Sequence, residues 1–245
     1  MEPKITIANT VKNRINALEE GFIFSYMDFE GSSKNGETII KTLNRLVEKG
    51  KIEKLSKGRY WKPIVTNNRT IQPRKEEFIK DLLVKNGEII GYETGFNAVS
   101  KTLGILENKK ILIGRNSNKS SIKRGGYSIE FVLQRNEITE ENIELLQILD
   151  CLKMIKGLRN QEKDDSLGIL WRILRKFNKT KIEKLVKYSA KYPSSTRALL
   201  GFLLEDNKKT MELVEKIRET LNPISKFQIG IRKLDNFLKE KWNLK

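Results

Sequence analysis

The stretch Ile39-Ile40-Lys41-Thr42-Leu43-Asn44-Arg45-Leu46-Val47-Glu48-Lys49-Gly50 runs directly into Lys51-Ile52-Glu53-Lys54-Leu55-Ser56-Lys57-Gly58-Arg59-Tyr60-Trp61, and these two segments decide how the N-terminal part reads. Ile39, Ile40, Leu43, Leu46 and Val47 fall at helical spacing and share one face, and Gly50 ends the run. The residues after Gly50 alternate, turn at Lys57-Gly58 and alternate again, which predicts a β-hairpin. Working outward, Ile7, Val11, Ile15 and Leu18 predict a helix stopped by Gly21. Ser25-Tyr26-Met27-Asp28 is a short capping-box start with Asp in place of Glu, and Ser33 to Gly36 is turn-rich.

Helix, short helix, helix and basic hairpin, in that order over residues 1–65, match the winged helix-turn-helix arrangement. Its third helix enters the major groove and its hairpin lies along the backbone or the minor groove. The same order also serves domains that only contact proteins. On this reading Ser33, Lys34 and Asn35 precede the third helix. Thr38, Lys41 and Arg45 lie off the apolar stripe at steps of three to four, so they share an exposed face. Thr38 and Lys41 are candidates for base edges, and Arg45 is equally a candidate phosphate clamp. In the wing, Lys54, Lys57 and Arg59 are phosphate candidates, with Gly58 permitting the tight turn. Trp61, and Tyr60 as an alternative to a surface role, are placed under the wing.

Residues 64–77 are polar, with Asn67-Asn68 and Gln72-Pro73, and read as a linker. A small mixed α/β unit over 74–136 follows: a helix over Glu76–Lys85, a turn near Gly87, a short helix over Glu93–Leu103 and a strand over Lys110–Ile113. A hairpin of Ser121–Lys123 and Tyr127–Leu133 about Gly125-Gly126 completes it. Residues 137–245 read as mainly helical. Helices are expected from Thr139 to about Lys156, from Leu167 to Phe177, from the capping box Thr180–Glu183, after Pro193 with Ser194 or Ser195 as cap, and over about 208–221. A short strand Phe227–Ile231 and a last helix to Trp242 are expected in Ile224–Lys245. The expected fold class is therefore α+β in three parts.

The chain of 245 residues has 48 Lys+Arg, 31 Asp+Glu, no His and one Cys, for a net charge of +17. Without histidine there is no Ser-His-Asp triad and no His-ligated zinc, and with Cys151 alone there is no disulfide framework or CxxC pair. Cys151, flanked by Leu149, Leu152 and Ile155, reads as a buried helical thiol. No apolar run approaches the ~18 residues of a membrane span, and Met1-Glu2-Pro3-Lys4 opens without a signal core, so a cytoplasmic protein without a membrane partner is expected. The charge suits a polyanionic partner, or a solvated Lys/Glu surface. It is spread out: residues 1–65 carry 12 basic and 8 acidic side chains, 66–135 carry 13 and 7, and 136–245 carry 23 and 16. Gly114–Ser120 lacks the second glycine of a P-loop, and Glu130 is followed two positions on by Val132 where a carboxylate–metal nuclease needs Lys. Asp164-Asp165 suits a loop or a helix start. These readings favour a binder over an enzyme, with no cofactor and no metal.

Four stretches, in order, resemble the AbiEi-type antitoxins of bacterial type IV toxin–antitoxin systems. The first is Gly21-Phe22-Ile23-Phe24 with Asp28-Phe29, Thr42–Ile52 and Lys57-Gly58-Arg59-Tyr60. The second is Gly95-Phe96-Asn97-Ala98-Val99 with Leu103-Gly104-Ile105. The third is Ile129-Glu130-Phe131, and the fourth is Tyr192-Pro193-Ser194-Ser195-Thr196-Arg197-Ala198-Leu199-Leu200-Gly201. The segment after Pro223 departs most from the family pattern. The resemblance implies a winged-helix domain that binds double-stranded operator DNA and represses its own operon. It further implies that the remainder counteracts a neighbouring nucleotidyltransferase-like toxin, by direct contact or indirectly. Arg172, Arg175, Lys176 and Arg197 are candidates for that second role, against the alternative of ordinary helix surface. Two other readings stand beside it: a winged-helix regulator with an effector or oligomerisation domain and no toxin, and a nucleic-acid-processing enzyme using Glu130 or Asp165.

Overall fold

Apolar residues at helical and alternating spacing close a small core within the first sixty-odd residues. The computed structural model describes residues 6–66, 69–71, 73–99, 109–205, 210–231 and 236–245. α1 (Ile7–Ala17) starts at Thr6, whose hydroxyl accepts from the Asn9 amide, and buries Val11 and Ile15. Its last carbonyls are met by Lys62, whose Nζ donates to Asn16 O at 2.9 Å and Leu18 O at 2.7 Å. β1 (Ile23–Ser25) leads into a 3₁₀ turn, Tyr26–Asp28, held by the expected capping box: Ser25 Oγ accepts from Met27 N, and Asp28 accepts from Ser25 N at 2.6 Å. α2 (Ser32–Glu48) follows Gly31. The turn-rich Ser33–Gly36 segment is thus a first helical turn, kinked onto the main helix where Asn35 leaves helical geometry at φ −119°, ψ 18°.

β2 (Glu53–Ser56) and β3 (Arg59–Trp61) form the expected hairpin, and β1 pairs with the other side of β3, giving an antiparallel sheet in the order β1-β3-β2. Ser56 faces Arg59, so the turn is Lys57-Gly58, and the left-handed position (φ +74°) falls on the glycine. Ile39, Leu43, Ile52 and Tyr60 meet Val11, Ile15 and Phe24 in one cluster. Each fully buried aliphatic side chain there contributes about 1.5–3 kcal/mol.

The segment expected as a linker instead carries β4 (Ile64–Thr66) and β5 (Arg69–Ile71), paired antiparallel. Their β-branched residues suit a strand pair, and the polar stretch between them mimics a linker in sequence. α3 (Lys75–Leu83) buries Phe78, Ile79 and Leu82. β6 (Val84–Lys85) and β7 (Glu88–Ile89) flank Asn86-Gly87, both at positive φ. β8 (Tyr92–Thr94) stands where the short helix from Glu93 was expected; cross-strand pairing with Leu112–Gly114 overrides the local pattern. A helix, α4 (Phe96–Val99), begins only after Gly95, and residues 100–108 of that expectation, with Leu103-Gly104-Ile105, lie outside the described residues. β9 (Lys110–Arg115), β10 (Ile122–Arg124) and β11 (Tyr127–Leu133) follow, the last two joined at Gly125-Gly126 as expected.

The remaining α-helices among the described residues are α5 (Ile143–Met154), α6 (Asn160–Leu174), α7 (Lys179–Ser189), α8 (Ser194–Leu204), α9 (Met211–Glu219) and α10 (Asn236–Lys241), with a 3₁₀ turn at Ile155–Gly157. Four local expectations change. α6 starts at Asn160 rather than Leu167, so Asp164 and Asp165 lie inside the helix. α7 is capped by Asn178, whose Oδ1 accepts from Lys181 N at 2.9 Å, in place of Thr180. α8 is capped by the extended backbone of Pro193, with no side-chain cap from Ser194 or Ser195. The expected strand at Phe227–Ile231 reduces to a single parallel bridge, Phe227 with Leu244.

The architecture is mixed: α–β elements at the N-terminus and a mostly helical C-terminal region. The chain forms two units that alternate along the sequence, residues 1–84 with 122–129 and residues 85–121 with 130–245. In the first, Phe78 lies so close over Gly125 that a Cβ there would meet the ring at 2.1 Å. In the second, β9 pairs antiparallel with β8. α5 supplies the centre of its helical core with Leu145, Ile148, Leu149 and Cys151, the thiol being fully buried. Trp242 packs on Gly201 and donates its Nε1–H to Glu205 at 2.8 Å, which ties the C-terminus into that core. No described helix is long and apolar enough to cross a membrane.

Candidate nucleic-acid interface

The face of α2 opposite Ile39, Leu43 and Leu46 is free of the core. Ser33, Lys34, Thr38, Lys41 and Arg45 are exposed on it, and Asn35 at the kink is half-buried. Lys34, Thr38, Lys41 and Arg45 follow one another at steps of four, three and four, so they form one row along the helix. None of these three cations makes an ion pair with a described residue. An open depression of about 820 Å³ lies between the 3₁₀ turn and the start of α2, lined among others by Tyr26, Met27, Lys34, Glu37 and Thr38.

The helix is fastened to the β2-β3 hairpin from behind. Tyr60 is 1% exposed, and its hydroxyl donates to Asn44 Oδ1 at 3.0 Å, linking β3 to α2. Trp61 is equally buried but, as the next residue on β3, lies on the opposite face of the strand from Tyr60. β2 carries an irregularity between Lys54 and Ser56, which adds twist to the hairpin. Lys54 and Lys57 are exposed. Arg59 differs from them. It is half-buried and paired with Asp81, which also accepts from Arg124 at 2.7 Å. Burial lowers the Arg59 pKa from its ordinary value, and Asp81 opposes that shift.

Two residues on this face had no place in the sequence argument. Met27 is 69% exposed, a large apolar side chain in the depression beside the helix start. Its position inside the capping box, where the box fixes Ser25 and Asp28 inward on the backbone, is the signal that would have found it. Glu37 is exposed one turn before Lys41 and puts an acid on an otherwise basic row. In a groove a carboxylate of this kind accepts from cytosine N4 and repels phosphate.

In the second unit the four cations named for toxin control have different partners. Arg172 Nε donates to Gly168 O at 3.2 Å, Arg175 lies 4.8 Å over the Trp171 ring, and Lys176 is exposed at the same helix end. Arg197 is committed elsewhere. It donates to Tyr192 O at 2.8 Å, Ser194 Oγ at 3.2 Å, and both Thr220 Oγ1 and Thr220 O at 3.0 Å, fastening α8 to the end of α9.

The most elaborate polar arrangement of this unit is buried. The Asp150 carboxylate accepts from the hydroxyls of Tyr92 at 2.6 Å, Thr94 at 2.8 Å and Tyr192 at 2.8 Å. Gln134 Nε2 donates to both tyrosine oxygens, and Gln134 Oε1 accepts from the Asn136 amide. Burial raises the Asp150 pKa, while the three hydroxyls and nearby Lys153 oppose it. Burial likewise pushes the Cys151 thiol up, away from thiolate chemistry. Glu130 pairs with Lys110 at 2.9 Å, and Asp165 is exposed within α6. Among the described residues no three His, Cys, Asp or Glu side chains are grouped to hold a metal. No family model, curated protein or solved structure matches the chain.

Proposed function

We propose that residues 1–65 form a winged helix-turn-helix domain that binds double-stranded DNA, and that the chain is an antitoxin that represses its own operon and opposes a nucleotidyltransferase-like toxin. The observation that carries the DNA half is the exposed row Lys34, Thr38, Lys41 and Arg45 on α2, on a helix whose other face is held in the core next to a basic hairpin. The order α1, 3₁₀ turn, α2, β2-β3 hairpin, with β1 completing the sheet, supports the same reading. On this reading α2 lies in the major groove, with Lys41 and Thr38 toward base edges. Arg45, Lys54 and Lys57 hold phosphates. Arg59 serves Asp81 and sits behind the contact surface. The toxin half rests on the sequence resemblance.

Titrating the full chain with duplex from upstream of its own gene tests the DNA half. Lys41→Ala should change preference among sites differing by one base pair, and Arg45→Ala should weaken all of them alike. Equal binding of own and scrambled duplex by wild type and Lys41→Ala would refute sequence recognition through α2. Co-expression with the adjacent gene tests the other half: if that gene is toxic and this chain does not relieve it, the antitoxin reading fails.

A further inference from the structure

A second cationic surface lies in residues 85–121 and 130–245, outside the DNA reading and independent of it. A pocket of about 480 Å³ is lined by Arg135, Lys153, Lys191 and Arg197, with Leu133 and Pro193 supplying apolar wall. No carboxylate lines it. Arg135, Lys153 and Lys191 are exposed and make no ion pair with a described residue; the one hydrogen bond described among them runs from Lys191 Nζ to Arg135 O at 3.3 Å. Arg197 is held in place by its bonds to Tyr192, Ser194 and Thr220, so its charge is fixed at the pocket wall.

The wall is rigid for a reason already described. Gln134 and Tyr192 line the pocket, and both are locked from within by the Asp150 network. α8 begins beside it at Pro193 without a side-chain cap, adding the positive end of its dipole to the field. Four like charges around one small concavity repel each other, and that arrangement costs stability unless an anion offsets it. The volume is within the range of small-molecule sites, and the mixture of cations with an apolar side is what an organic phosphate requires.

We propose that this pocket binds a small phosphate-bearing ligand, its phosphoryl oxygens meeting Arg135, Lys153 and Lys191 in the field of the fixed Arg197 charge, and any organic part lying against Leu133 and Pro193.

The test is calorimetric titration of the full-length protein with pyrophosphate and with ATP. Saturable binding at one ligand per chain is expected. ATP binding more tightly than pyrophosphate would assign part of the site to the organic moiety, and equal binding would assign it to the phosphates alone. Arg135→Gln and Lys191→Gln replace exposed residues, and each should weaken binding about tenfold. Lys184→Gln, a surface change on α7 outside the pocket, should leave binding unaltered. Duplex DNA affinity should be the same in wild type and in the Arg135→Gln/Lys191→Gln double variant. Absence of saturable binding by either ligand, or pocket variants that bind like wild type, would overturn the proposal. So would a parallel loss of duplex affinity in the double variant, which would assign the surface to nucleic acid instead.

Discussion

Lys57 and Arg59 are two residues apart in the β2-β3 hairpin, yet the structure gives their removal different consequences. Lys57 is exposed and unpaired among the described residues, so a phosphate that it meets releases one counterion. Lys57→Ala should lower the slope of log affinity against log salt by about 0.9. Over a fourfold change in salt that is about 3.5-fold in affinity per contact. Arg59 shares Asp81 with Arg124, which ties its guanidinium to that carboxylate, with side-chain exposures of 22% and 39% for the Arg59–Asp81 pair. Arg59→Ala should leave the salt slope unchanged. Its effect should appear in stability, at about 1 kcal/mol or less, because a part-exposed ion pair is worth little. Anisotropy titrations of a labelled duplex at several salt concentrations, with urea unfolding of the same variants, read both quantities. A slope that falls as far in Arg59→Ala as in Lys57→Ala would refute the reasoning, since it would mean that the pair opens on DNA and Arg59 takes a phosphate.

The buried network yields a second set of expectations. Asp150→Ala leaves three buried hydroxyls without their common acceptor and should destabilise the protein by about 3–5 kcal/mol, against about 1–2 for Tyr92→Phe; urea unfolding of Asp150→Ala within 1 kcal/mol of wild type would contradict this. Because burial raises the Asp150 pKa in the folded state, the native protein binds this proton more readily than the unfolded chain. Its contribution is therefore present in full below the unfolded value near ~3.9 and is lost as pH rises through the higher folded value. Asp150→Asn should remove that component, so the stability difference between variant and wild type should shift in the variant's favour as pH rises across this window. Gly201→Ala gains about 1 kcal/mol of helix propensity but places a Cβ 2.1 Å from Trp242 Cη2, and should lower stability and alter the near-ultraviolet signal of that indole. A variant more stable than wild type would show that Trp242 is not where the structure puts it.

What could be read from sequence followed the range of the interactions. The Lys51–Trp61 hairpin was legible because alternation and a turn glycine act within a few residues. The capping box at Ser25 and the buried Cys151 were legible for the same reason. Tyr92-Glu93-Thr94 was not, because its strand state comes from β9 residues about twenty positions away. The Arg59–Asp81–Arg124 group spans separations of 22 and 43 residues, and no periodicity marks it. The Asp150 network joins residues 42 to 58 apart, each of which reads alone as an ordinary strand or helix residue. The row on α2 was visible as spacing, but the kink at Asn35 and the exposure of Met27 and Glu37 depend on how the 3₁₀ turn abuts the helix. Arg197 was legible as a cation, and only the fold shows that its donors hold α8 to α9.

The hairpin at 122–129 belongs with residues 1–84, and this limits how the gene can be cut. The chain leaves the first unit after Val84, returns for eight residues and leaves again. A fragment ending at residue 84 therefore lacks the glycine under Phe78 and the second arginine on Asp81. Removing residues 1–65 has the converse effect, stranding α3 and the hairpin without the α2 core. No single breakpoint separates one unit from the other, so neither unit is encoded as one contiguous segment. Recombination that exchanges one unit between relatives must carry two segments together. Truncation phenotypes will report loss of folding alongside loss of any one activity, and point substitutions on α2, in the β2-β3 hairpin or in the cationic pocket are the changes that keep those apart.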